Sequence, residues 1–448
     1  MKQFFKFFII FFVLIIGSNK SFGASLSSFI KSSPLDKTST VAVSVKDVKT
    51  GLPIFTYNEK KLLHPASTLK VFTTIPAADT LEKTFNFNTD FYVYNNNLYI
   101  KLSGDPLLTS ENLKNALKDI KSLGYKNFRN IYVDTSVMDN VETGVGWMWD
   151  DGTNSSIRKF SSYNLDDNVL NIGVTNDNGQ INLDIKSIYP VPVINNITAG
   201  NKNSLTAIRH DWISPDIICI KGTVKDSSTI QVPVNNMQKY FNYRLSAILK
   251  RVNIKVENDI ILNGEVPSEA RKVAGISHSL ESVLPSIFKD SNNKNCETVV
   301  KIAGGISENS TGTLANSLNL FYDYWNAKSV DTSDLVIADF SGVSRNNLIT
   351  ADFMTNALNC IYKTKDFEEL EELLAQPGEG TLSNRLLNLR GSVWLKTGTL
   401  ENISGITGYV KTDKGKIYSV AILIQNFNYP VKQIKEFENE MITIIKKL

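Results

Sequence analysis

Cysteine is scarce in this chain. Cys219, Cys296 and Cys360 are its only three, far apart and odd in number. That excludes a disulfide framework and any cysteine-based metal motif, and leaves buried free thiols as the expected state. Histidine is as scarce. His64, His210 and His278 stand alone, so neither a zinc site nor a Ser-His-Asp triad has local support. Charge of one sign is lacking too. The 48 Lys and Arg against 45 Asp and Glu leave a net charge of +3, which implies no nucleic-acid partner. Internal repeats and low-complexity tracts are absent.

What is present suits a globular protein: 42% hydrophobic and 21% charged residues over 448 positions. At roughly 150 residues per domain, about three domains are expected. Residues 1–23 read as a cleaved signal peptide. Lys2 and Lys6 give the positive start, and Phe7 to Ile16 is an apolar run too short to span a bilayer comfortably. Ser21 and Gly23 supply small residues for cutting after Gly23, and no cysteine follows for a lipid anchor. The mature chain is therefore expected to be exported.

Alternation at Val41–Val45 and Ile54–Tyr57, around Lys49-Thr50-Gly51, reads as a hairpin leading to a helix at Ser67. Pro76 should kink or end that helix. A second hairpin turns at Asn95-Asn96-Asn97, and Glu111–Leu123 reads as a helix. From Val169 to Val234 short strands alternate with Asn, Gly and Pro turns, and Met237–Lys250 is helical again. Leu280, Val283, Leu284, Ile287 and Phe288 share a helical face despite Pro285. The chain closes with three strands and an amphipathic helix from Val431 to Leu448. The first hairpin and the last three strands are expected to form one antiparallel sheet with helices on both faces.

Three short motifs carry chemistry. Ser67 and Lys70 lie three apart at a helix start, so hydroxyl and amine meet on one face. A serine needs a base, and a lysine in a dry pocket can lose its proton and serve as one. Ser-x-x-Lys alone is weak, since roughly three or four copies are expected by chance. Lys396-Thr397-Gly398-Thr399 is more specific. Lys396 offers fixed charge, Thr397 a hydroxyl for a carboxylate, and Gly398 a strand edge open to a ligand backbone. A third motif, Ser-x-Asn, has two candidates. Ser291-Asn292-Asn293 sits on a short link between helical patterns, and Ser307-Glu308-Asn309 lacks regular flanks. The first is preferred.

In that order the three motifs resemble those of penicillin-recognising serine acyl-transferases. The nearer resemblance is to the D-alanyl-D-alanine carboxypeptidase/endopeptidase family of the penicillin-binding protein 4 type, peptidase family S13. It is carried by "PASTLK", "KDSNNKNCETVVK", "ADFSGVSRNNLIT", "EGTLSNRL", "LKTGTL…SGITGYV", "SGDPLL" and "DTSVMD…GWMWDD". The resemblance implies a multi-domain α/β chain with the serine β-lactamase/DD-peptidase-like transpeptidase fold. An antiparallel sheet is flanked by helices and interrupted by a large insertion that contains a nested β-rich domain. The expected segments are 24–90 with 265–448 for the penicillin-binding domain, 91–168 with 235–264 for the insert, and 169–234 for the nested piece. It implies Ser67 as nucleophile, Lys70 as base, Ser291 as proton relay and Asn293 as a bond to the substrate amide. Lys396 and Thr397 would hold the terminal carboxylate. The N–H groups of Ser67 and Thr399 would form the oxyanion hole. Arg345 and Asp151 match positions that contact the stem peptide.

The expected activity is a serine D-Ala-D-Ala carboxypeptidase, a DD-endopeptidase or both. Peptidoglycan peptides and β-lactam antibiotics are the expected partners, and no cofactor or metal is required. A peripheral membrane contact and a homodimer stay open. The competing readings are a β-lactamase, for which no second base is identifiable, and a non-catalytic peptidoglycan-binding scaffold, which intact motifs disfavour. Asn292 replaces the usual Asp, Cys296-Glu297 the usual Ala-Glu and Phe340 a usual Gly. "GTNSSI" follows Asp151 where the family tends to carry an aromatic.

Overall fold

The structure is a computed structural model that describes residues 25–185, 189–210, 214–258, 260–365 and 367–448. The expected signal peptide lies outside these residues. The chain divides into two units, each assembled from separate segments. The first comprises Met1–Ile75, Pro285–Ser291 and Phe321–Leu448, and the second Pro76–Leu284 and Asn292–Leu320.

The first unit is built on an antiparallel five-stranded sheet. Its order is Val393–Leu400, Ile403–Lys411, Ile417–Gln425, Thr40–Asp47, Pro53–Tyr57. This is the sheet expected from the first hairpin and last three strands. Period-two alternation decides what each face carries. Val41, Val43, Val45, Leu395, Ile406, Val420 and Ile422 share one apolar core with Leu26 and Ile30 and with Ile434, Met441, Ile442 and Ile445 of the helix Val431–Lys446. Burying each such aliphatic side chain is worth roughly 1.5–3 kcal/mol. On the other face Ser44 bonds Thr355 at 2.7 Å and Lys46 pairs with Asp352 at 2.7 Å, both on the helix Ala351–Thr364. The outer strand is partly covered: Leu395 donates its N–H to the Ala375 carbonyl at 2.9 Å.

In the second unit a mixed sheet runs Ile261–Asn263, Ile131–Asp134, Asn97–Lys101, Asn86–Tyr94, Arg271–Ser279. The hairpin turn falls at Asn95 and Asn96, whose φ of 47° and 60° suit a type I′ turn. The helices Ser110–Ser122 and Met237–Val252 contribute Leu113, Leu117, Phe241 and Leu245 to the core of this unit. The stretch 169–233 makes two three-stranded sheets, one centred on Val169–Asp177 and one on Ser214–Val224. The strand Arg271–Ser279 has no counterpart in the sequence reading, whose next element is the helical face from Leu280.

One turn in this unit is costly. Asp166, Asp167 and Asn168 follow one another with φ of 50°, 56° and 54°. Left-handed backbone costs roughly 1–2 kcal/mol per residue, less for Asp and Asn. The turn is held by its side chains: Asp166 accepts from Ser110 N at 2.7 Å and Tyr240 OH at 2.9 Å, and Asn168 accepts from Leu165 N at 2.9 Å.

The helix after Ser67 does not end at Pro76. It runs Lys70–Leu81 with the proline inside. Proline offers no N–H to the Phe72 carbonyl one turn back. Trp325 Nε1 donates to that carbonyl at 2.9 Å, so the helix continues with its acceptor satisfied.

Candidate active site

Ser67 lies in a 3-10 turn, Ala66–Leu69, that opens directly into the helix at Lys70. Both residues are therefore helical, three apart, and face one another. Lys70 is fully buried and its Nζ lies 2.9 Å from Ser67 Oγ. The same Nζ donates to the Ser341 carbonyl at 2.7 Å. That carbonyl belongs to a clasped loop. Asp339 accepts from Gly342 N at 2.8 Å, Ser344 N at 2.7 Å and Asn347 Nδ2 at 2.6 Å, while Asn347 Oδ1 accepts from Ala338 N at 2.7 Å. Gly342, at φ +82°, crosses Ala66 so closely that a Cβ would lie 1.9 Å from the Ala66 carbonyl oxygen.

A second lysine–serine pair has the same form. Lys396, also fully buried, donates to Ser291 Oγ at 2.8 Å and to the Thr397 carbonyl at 2.9 Å. Alternation puts Lys396 and Gly398 on the sheet face opposite Leu395. Ser291 holds a left-handed backbone, φ +63°, just after the helix Leu280–Phe288. The run into it is tied at Lys289, whose carbonyl accepts from Thr381 N at 3.0 Å and whose amine pairs with Glu379 at 3.1 Å. The "EGTL" motif is thus a brace for the Ser291 turn.

Gly398 joins the two pairs. A Cβ there would lie 2.7 Å from Ser67 N and 2.9 Å from Thr68 N. The expected reason for this glycine was room for a ligand; the structure adds that the strand itself lies against the nucleophile's backbone. Thr397 is buried and Thr399 exposed at the end of the same strand.

The description "D-Ala-D-Ala carboxypeptidase 3 (S13) family" matches residues 23–448. The chain belongs to that family. It is 24% identical over 422 residues to the D-alanyl-D-alanine carboxypeptidase DacB of Haemophilus influenzae, covering 88% of this chain and 87% of that one. It is 25% identical over 411 residues to the D-alanyl-D-alanine carboxypeptidase of Actinomadura sp. strain R39, covering 84% and 76%. The crystal structure of penicillin binding protein 4 from Haemophilus influenzae superposes with a TM-score of 0.82 at 22% identity, over 94% of this chain and 99% of that one. A structure of the same protein complexed with a β-lactam gives 0.77 at 20% identity. The fold class and the enzyme class expected from the motifs, a serine-type D-Ala-D-Ala carboxypeptidase, are those of the S13 family.

The remaining expected site residues of this S13 chain fall in two places. Arg345 is half-buried, one residue past Ser344 in the clasped loop of the first unit. Asn293 and Asp151 belong to the second unit. Asn293 opens the helix Asn293–Ser307 and donates through Nδ2 to the Ser156 carbonyl at 2.7 Å. Asn292, the departure from Asp, is the N-cap of that helix and accepts from Asn295 N at 3.0 Å. Asp151 lies in the 3-10 turn Trp149–Thr153, where its carboxylate accepts from Met148 N at 2.9 Å and so caps its own turn. The alternative Asn309 is exposed past that helix's end.

Of the cysteines, Cys219 and Cys296 are buried, Cys360 is half-buried and all three are free thiols. Sequence reasoning missed Ser341, Asp339 and Asn347. The signal was in hand, because all three lie in the quoted "ADFSGVSRNNLIT" box, from which only Arg345 had been taken.

Proposed function

We propose that Ser67 opens the D-Ala-D-Ala bond of peptidoglycan stem peptides through an acyl-enzyme. The observation that carries this reading is the Lys70 amine, buried, 2.9 Å from Ser67 Oγ and anchored on the Ser341 carbonyl. In neutral form that amine takes the Ser67 proton as Oγ adds to the substrate carbonyl. The oxyanion faces the N–H groups of Ser67 and Thr399, where losing one donor costs roughly 2.7–4 kcal/mol. Collapse breaks the C–N bond, and Ser291, bonded to Lys396, passes a proton to the departing D-alanine amine. Water then hydrolyses the Ser67 ester. Lys396 and Thr397 hold the terminal carboxylate, Asn293 bonds the substrate amide, and Arg345 and Asp151 meet the stem peptide. Cross-links between D-Ala and a diamino acid present the same carbonyl, so endopeptidase action needs no second nucleophile.

β-Lactams acylate Ser67 in this reading, as the β-lactam complex of the Haemophilus protein suggests. Residues 1–23 direct export to the periplasm, and no helix among the described residues is long and apolar enough to cross a membrane. The segments 24–90 and 265–448 form the penicillin-binding domain, with 91–168 and 235–264 as its insert and 169–234 nested within that. Purified protein incubated with defined muropeptides should release D-alanine or split cross-links, read by mass. A fluorescent penicillin should label wild type and not Ser67→Ala. Labelling that survives in Ser67→Ala, or rapid turnover of the penicillin, would reject the assignment.

A further inference from the structure

We propose that Lys294 is a positioning residue for Asn293, fixing the first turn of the Asn293–Ser307 helix through Pro106 and Asp167. The proposal rests on the reading of Asn293 given above and assigns a task to a residue that the reaction itself does not use.

Lys294 is fully buried. A lysine is kept inside a protein only with partners, because its ammonium loses its hydration there. It has two: the Pro106 carbonyl at 2.8 Å and Asp167 Oδ1 at 3.5 Å. The other Asp167 oxygen pairs with Arg158. Arg158 in turn donates through Nε to the Ser155 carbonyl at 2.6 Å. The next carbonyl along, that of Ser156, receives the Asn293 side chain at 2.7 Å. The circuit closes on Asn293. Its backbone is steered by the neighbouring Lys294 and its side chain by the segment that Arg158 braces. One carboxylate, Asp167, is shared by both cations.

Each support is itself fixed. Asp167 is the middle residue of the left-handed turn held by Ser110, Tyr240 and Leu165. Pro106 follows Asp105, which is buried, accepts from Leu107 N at 2.9 Å and bonds His278 Nδ1 at 2.6 Å. The "SGDPLL" and "NLDDN" stretches of the insertion thus converge under the start of one helix. A displaced catalytic group is costly: about 1 Å is enough to cost roughly 100-fold in rate.

The groups facing Lys294 are Asp167, Asp105 and Arg158, with His278 behind Asp105. Burial lowers the Lys294 amine to about 8, against the opposing pull of Asp167. The ion pair therefore weakens as pH rises through that value.

The test is acylation by a fluorescent penicillin, together with kcat and KM for D-alanine release, in the full chain. Lys294→Met keeps the length and removes the charge. It is expected to lower the acylation rate constant and kcat roughly fivefold, leave KM within about twofold, and leave the melting temperature unchanged or higher. Wild type should show an alkaline component near pH 8 that this variant lacks. Asp167→Asn tolerates the same left-handed backbone. It should lose about threefold, and in the double variant the two losses should combine to less than their product, because the Lys294–Asp167 contact is lost in both single variants. Asn293→Ala is run beside them. Wild-type acylation in Lys294→Met with a loss in Asn293→Ala overturns the proposal alone. Wild-type acylation in Asn293→Ala removes the reading and the proposal together. If Lys294→Met does not fold, Asp167→Asn decides: full acylation rejects the proposal, and a loss without a fall in melting temperature supports it.

Discussion

Among the described residues five lysines are buried: Lys46 pairs with Asp352, and the other four divide into two kinds. In the first unit Lys70 and Lys396 each donate to a serine hydroxyl and to a backbone carbonyl. In the second unit Lys294 and Lys301 each donate to a backbone carbonyl, Pro106 or Val141, and face a carboxylate, Asp167 or Asp139. The difference is chemical. A carboxylate beside an amine favours its charged form, and at Lys294 that pull opposes burial without cancelling it. A hydroxyl partner has a proton to give, so an amine beside it can take part in exchange. Burial alone therefore does not mark a reactive lysine; the identity of its second partner does.

The largest expected effect breaks this comparison at its root. Lys70→Met should lower acylation by a fluorescent penicillin roughly 1000-fold or more, whereas Lys301→Met should stay within about threefold of wild type. Similar losses in both would erase the distinction. Gly398→Ala comes next. Its methyl would press on the Ser67 and Thr68 amides, which are backbone and cannot yield, so about a 100-fold loss is expected in a protein that still melts cooperatively. Asn293→Ala should cost about tenfold and Asn309→Ala almost nothing, measured in the same assay. A loss confined to Asn309 would move the Ser-x-Asn motif to the exposed end of the helix.

The smallest effect is thermodynamic. The folded-state Lys294 amine titrates near 8 and the unfolded one near 10.5. Between those values the unfolded chain binds more protons, so unfolding free energy rises with pH, by up to roughly 3 kcal/mol from this group. Denaturant melts at pH 7.5 and 10.5 should show wild type gaining on Lys294→Met across that window. A parallel course for the two proteins would place a normal amine there.

Local chemistry was legible and long-range compensation was not. Ser67 with Lys70, and Lys396 through Thr399, are each contiguous or one turn apart, so the period of a helix or strand fixes how they point. The Asn95-Asn96 turn and the sheet of first and last strands followed from alternation for the same reason. That the helix runs on past Pro76 was not readable locally, because Trp325, far along the chain, supplies the donor to the Phe72 carbonyl. Nothing beside Lys294 in the sequence announces Pro106 or Asp167. The left-handed turn at Asp166–Asn168 depends on Ser110 and Tyr240, which no local window contains. Asp151, matched to substrate contact, also accepts from Met148 N through one carboxylate oxygen, a local bond that the sequence reading did not include.

The single bond between Leu395 and Ala375 limits how the outer strand can be used. Just upstream of Lys396 the outward N–H of Leu395 is already taken by the Ala375 carbonyl, which shortens the stretch of this strand that another backbone could add to. A long uncovered border would invite copies of the chain to zip together into fibres. Each residue of the strand engaged in this way leaves less edge open to such pairing.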